Sequence, residues 1–152
     1  MDRRLPVTLA LAVGVLALAW ALRPEAPAVL AEAGPHELAV VGPEGVLWEG
    51  VVVGANVTAL SLLEEAGRIG GFEVAVSQSA AFGPGCIGTY VVSIGGHGER
   101  GTGGWNFYVR HPGDGHAWWI SESAGCCGLV AGDAVEWRWV EVDRVEPAGT
   151  CA

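Results

Sequence analysis

Glycine decides most of what this chain can become. It occurs 24 times in 152 residues, too often for a helical bundle, since each interior glycine costs a helix about 1 kcal/mol relative to alanine. The glycines follow no Gly-X-Y period, which excludes a collagen-like triple helix. Between them stand short runs rich in Val and Trp, residues that suit a pleated, half-buried surface. Short strands joined by tight turns are therefore expected. Charge narrows the partners. Lys+Arg is 8 against 17 Asp+Glu, a formal charge of −9, and there is no lysine. Without clustered cations, nucleic acid is not an expected partner, and an anionic membrane surface is disfavoured.

The N-terminus sets the compartment. Asp2-Arg3-Arg4 leads into an apolar run to Leu22, then Arg23-Pro24 and the small-residue site Ala26-Pro27-Ala28. A basic start, an apolar stretch and such a site make residues 1–28 a secretory signal peptide, or an N-terminal anchor if retained. Residues 29–35 read as a linker, 36–144 as the folded domain and 145–152 as a tail. The protein is expected to be secreted or at the cell surface, touching a membrane only through an uncleaved N-terminal segment. Export makes the even count of Cys86, Cys126, Cys127 and Cys151 read as disulfides. A bridge within Cys126-Cys127 would close a strained ring, so each needs a distant partner among Cys86 and Cys151. No C-x-x-C or H-x-x-x-H spacing supports a metal site.

Local pattern gives the elements. His36–Val41 and Val46–Val53 flank Gly42-Pro43-Glu44-Gly45 as a hairpin. Thr58 caps a short helix, Ala59–Ala66, with Leu60, Leu63 and Ala66 on one face and Gly67 as its end. Strands follow around Phe72–Val76, Thr89–Ile94, Trp105–Arg110, Ala117–Ser121 and Ala134–Val142. One helix after a hairpin, then more strands, implies the α+β class: a β-grasp-like mixed sheet with one short helix, stapled by disulfides.

No catalytic constellation emerges. Gly96-His97-Gly98-Glu99-Arg100-Gly101 matches G-x-G-x-x-G, yet a strand follows it where the dinucleotide motif needs a helix. It reads as a hairpin loop. Asn56-Val57-Thr58 is a glycosylation sequon whose residue types a helix entry also explains. The histidines are scattered, and G-x-S-x-G and H-E-x-x-H are absent, so no enzyme is expected. The aromatics say more. Trp105, Phe107, Val135 and Trp137 alternate as an inward set. Trp118 and Trp119 must point to opposite faces of a strand, so one of them is expected near the surface with Tyr108 and His116. Tyr108, His116, Trp118 and Trp119 are accordingly the candidate ligand-binding residues.

From Asn56 to Val140 the chain resembles the family named for the C-terminal domain of transcobalamin. The likeness lies in Asn56-Val57-Thr58-Ala59-Leu60-Ser61-Leu62-Leu63, Tyr90-Val91-Val92-Ser93-Ile94, Gly104-Trp105-Asn106-Phe107-Tyr108-Val109 and Ala131-Gly132-Asp133 running into Val135-Glu136-Trp137. With the opening hairpin it covers about residues 36–142. Arg110-His111-Pro112-Gly113 stands where the family often has Asn-Gly, and the four cysteines lie outside its pattern. The resemblance implies a domain that, in cobalamin carriers, covers one face of the corrinoid while a helical barrel holds the other. For this chain it implies a non-catalytic domain contacting one face of a planar ligand, cobalamin or another, with the glycine-rich Gly95–Gly104 loop folding over it. The alternative is an extracytoplasmic interaction or structural module that meets a cell-surface protein and has no small ligand.

Overall fold

The computed structural model describes residues 33–83, 86–98, 103–141 and 148–151; of residues 79–83 and 86–87 it describes the backbone. The chain divides into Met1–Leu30 and Ala31–Ala152. The expected signal or anchor segment, residues 1–28, lies outside the described residues. Among the described residues, no helix is long and apolar enough to cross a membrane.

Among the described residues the strands are β1 (Gly34–Gly42), β2 (Gly45–Gly54), β3 (Val74–Gly83), β4 (Cys86–Ile94), β5 (His97–Gly98), β6 (Gly103–Arg110), β7 (Trp118–Ile120), β8 (Ala134–Glu141) and β9 (Ala148–Gly149), with one helix, α1 (Ala59–Gly70), between β2 and β3. Six strands form a mixed sheet in the order β2-β1-β8-β6-β7-β9, and β3-β4-β5 form a second, smaller sheet. The β1/β8 and β7/β9 pairs are parallel. The protein is thus mostly β, which corrects the α+β, β-grasp-like expectation. Among the described residues the helix is a single short element, and the strands after it divide between two sheets. Two boundaries move as well. Gly34 and Pro35, expected in the linker, already pair with β2. The expected tail contributes β9 and Cys151, whose sulfur is bonded to Cys127, 24 residues away.

The helix shows how the chain positions its parts. Thr58 caps it, its hydroxyl accepting from Ser61 N–H at 3.1 Å while Ser61 Oγ accepts from Thr58 N–H at 2.8 Å. Ala59 and Leu60 N–H donate to the carbonyls of Cys127 and Ala124, at 3.0 and 3.1 Å. Two of the orphan donors of the first turn are thereby met by the turn that carries the adjacent cysteines. Gly67 does not end the helix. It is buried, and a Cβ there would lie 2.8 Å from the Phe72 carbonyl, so this glycine allows a close approach. The end comes at Gly71, left-handed at φ 73°. The face turned inward holds Ala59, Leu62, Leu63 and Ala66, with Leu60 only half-buried, a shift from the expected stripe. These side chains join Leu38 and Val40 of β1, Val91 and Ile94 of β4, and the inward set Trp105, Phe107, Val135 and Trp137 in one core. Phe107 and Trp137 rings stand 5.1 Å apart across β6 and β8.

Candidate functional site

The chain leaves β6 at Arg110, turns through His111–Ala117 and returns as β7. The ladder pairs Val109 with Trp118 and Tyr108 with Trp119. Residues directly opposite in an antiparallel pair share a face. Val109 is core, so Trp118 lies on the core side of the sheet and Trp119 on the other, as their adjacency requires. The four expected ligand residues are therefore not one group. Tyr108 is 5% exposed, with the Arg138 guanidinium 4.7 Å above its ring and Arg138 held by Glu136 at 2.9 Å. It is a buried packing residue of the outer face, and its expected place at the surface is corrected. His116 and Trp118 do come together, their rings 4.0 Å apart, and of the two Trp118 lines an open groove of about 600 Å³.

Trp118 forms one wall of that groove, His111 and Asp114 a second, and Ala148–Cys151 the third. The third wall is held by β9, which pairs with β7. Its close seat needs Gly149, since a Cβ there would lie 2.6 Å from the Trp118 Cβ. The Cys127–Cys151 disulfide fixes the same segment from below, Cys127 being fully buried.

Beneath the groove stands a carboxylate that sequence reasoning missed. Asp133 is fully buried at the turn into β8. Its Oδ1 accepts from His111 Nδ1–H at 2.7 Å and its Oδ2 from Val130 N–H at 2.8 Å. The hydrogen bond to Asp133 raises the His111 pKa above 6.5, with help from a backbone bond to Thr150 and the charge of Asp114; burial opposes. On the other side His36 is 2% exposed with its Nδ1 unpartnered, and burial lowers its pKa below 6.5 against the attraction of Asp133. His111 and Asp133 are 22 residues apart and sit beside Pro112 and Gly132, so each reads locally as a turn residue. The signal available was the Gly-Asp turn at the start of a strand.

Cys126 is also disulfide-bonded, whereas the Cys86 side chain lies outside the described residues. Among the described residues no group of His, Cys, Asp and Glu is arranged to hold a metal. Of Gly95–Gly104, His97–Gly98 form β5 and Gly103–Gly104 open β6, whereas the groove lies beyond that strand's other end; residues 99–102 of the loop expected to fold over a ligand lie outside the described residues. Asn56 stands at the helix entry with φ 53°, a left-handed backbone that asparagine tolerates. No protein-family model matches the chain, and no curated protein matches it.

Proposed function

We propose that the protein is an exported, non-catalytic binding domain that takes one face of a planar ligand at the Trp118 groove. The observation that carries this reading is the Trp118 ring forming a wall of an open groove of about 600 Å³, with the His116 ring 4.0 Å from it. That volume lies within the range of small-molecule sites, and a flat apolar wall with a few polar groups is their usual make-up. His111 sits there with Nδ1 given to Asp133 and a further bond to the Thr150 backbone. It orients and donates; the sulfur at the groove, Cys151, is in a disulfide and offers it no thiol to activate. The disulfide also suits an oxidising compartment, which supports export.

The resemblance to the transcobalamin C-terminal family makes a corrinoid the first ligand to test. Stacking on one indole gives about 1–3 kcal/mol, by analogy with base stacking. Association entropy opposes it, so single-face binding should be about micromolar or weaker. Equilibrium titration against a corrinoid and other planar macrocycles, followed by tryptophan emission, tests the proposal. Saturable quenching supports it. No binding to any macrocycle at about millimolar concentration would refute it.

A further inference from the structure

A second surface, remote from the groove in the sheet order, carries an independent inference. β2 is the outer strand of the six-stranded sheet, paired on one side with β1. From Trp48 to Gly54 its register is regular; the shift falls at Val40/Val41, toward the hairpin turn. An edge of this kind presents a row of backbone groups ready to pair, and proteins usually blunt it with lysine, proline or a bulge. β2 has neither lysine nor proline, and the bulge leaves the stretch after Trp48 straight. Its outward side chains are apolar: Val51 is 58% exposed and Val53 69%.

The charge on this edge has one sign. Glu49 lies mid-strand, exposed, between Trp48 and Gly50, and has no cationic partner among the described residues. Beside it a depression of about 390 Å³ on the same face is lined by Glu37, Glu49, Val51 and Glu136, with Arg110. Arg110 is already paired to Glu37 at 3.2 Å, and Glu136 to Arg138. The net charge left over at the edge is that of Glu49, on a chain of formal charge −9.

These facts decide between occupants. Two copies joined edge to edge about a two-fold axis would pair antiparallel, with outward residues facing outward residues. Centring the register on Glu49 sets its carboxylate opposite that of the partner copy; the next register sets it against Val51 and diagonal to the other carboxylate, and a register centred on Val51 sets it against Val53, where only the like net charge of the two chains opposes pairing. Like charges directly opposite destabilise a sheet, and the two negative chains repel as well. An extended segment alternating β-branched and cationic residues has the reverse properties. Its backbone completes the ladder, its apolar side chains lie on Val51 and Val53, and a cation reaches Glu49. We infer that β2 is a docking edge for an extended, cationic strand of a partner protein, which it accepts by strand addition.

The probe is a short peptide of alternating lysine and valine, titrated into the isotope-labelled protein and followed by NMR and amide exchange. Shifts and slowed exchange concentrated at Trp48–Gly54 are expected. Glu49→Lys should weaken binding about tenfold, since one attraction becomes a repulsion, and Glu49→Gln by a smaller factor. A glutamate–valine peptide of the same length should bind at least about tenfold less tightly than the lysine one. Absent binding, perturbation centred away from β2, or equal affinity for the acidic peptide would each overturn the inference. So would a β2-mediated dimer seen by sedimentation of the protein alone, which would make a second copy the occupant. The groove reading stands or falls separately, because Trp118 is not touched by any of these outcomes.

Discussion

Removing the Asp133 carboxylate should cost more stability than any other single polar change in the described structure. Asp133→Ala deletes two bonds at once. The one to Val130 N–H, at 2.8 Å, ties the turn before β8; a bond of a charged group to a donor is worth about 1.5–3 kcal/mol, and the change leaves that N–H without its acceptor. The one to His111, at 2.7 Å, is screened on the histidine side, where 30% of the side chain is exposed, so about 1 kcal/mol is appropriate. Together they give about 2.5–4 kcal/mol, a large part of the 5–15 kcal/mol that a domain ordinarily has. At roughly 4 °C per kcal/mol for a domain near this size, Tm should fall by about 10–16 °C. Asp133→Asn keeps an acceptor for Val130 and loses the charge, so about half that loss is expected. Thermal and urea unfolding under oxidising conditions, read by near-UV circular dichroism of the buried tryptophans, gives both numbers. A loss below about 1 kcal/mol for the alanine variant, or equal losses for both, would refute the assignment of Asp133 as the tie beneath the groove.

Two further outcomes follow from the same region. His111, with its pKa raised, contributes stability that is full below 6.5 and lost as pH rises through its folded value. His36, with its pKa lowered by burial, contributes stability present above 6.5 and lost as pH falls through its folded value. The two slopes oppose each other in mild acid, so His111→Gln should make the protein lose more stability than the parent between about pH 7 and about pH 5, and His36→Leu less; denaturant midpoints across that interval check both signs, and reversed signs would contradict the pairing with Asp133. The double change Cys127→Ser with Cys151→Ser opens a loop of 24 residues, worth about 3.5 kcal/mol in chain entropy; urea unfolding should show that loss together with red-shifted emission from Trp118 as β9 comes away, and a stability unchanged within about 1 kcal/mol would show that β9 does not depend on the bridge.

Local pattern carried the hairpin, the helix start and the inward tryptophan set, because each is written in neighbouring residues. Thr58 with Ser61, and Trp105 with Phe107, are short-range statements. It could not carry pairings between distant segments. The division of strands between two sheets depends on which edges meet, so one helix among the strands suggested α+β where the protein is mostly β. β9 is Ala148–Gly149, a stretch with no alternation to read, and it is a strand because Trp118, Gly149 and the disulfide hold it there. Gly67 misled for a physical reason: glycine at a helix end and glycine at a close contact look the same in sequence. At the site, the opposite facing of Trp118 and Trp119 was legible from the strand period. The burial of Tyr108 under Arg138 was not, since it needs the neighbouring strand.

The proposed ligand surface is the Trp118 side of β7 and not the Trp119 side. Comparing Trp118→Ala and Trp119→Ala in a macrocycle titration tests it most directly, with circular dichroism to confirm that both variants are folded. Loss of one stacking surface corresponds to about 1–3 kcal/mol, so Trp118→Ala should weaken binding by roughly 5- to 150-fold while Trp119→Ala leaves it within about twofold. Weakening by Trp119→Ala with Trp118→Ala unchanged would contradict the claim and move the site to the outer face of the sheet.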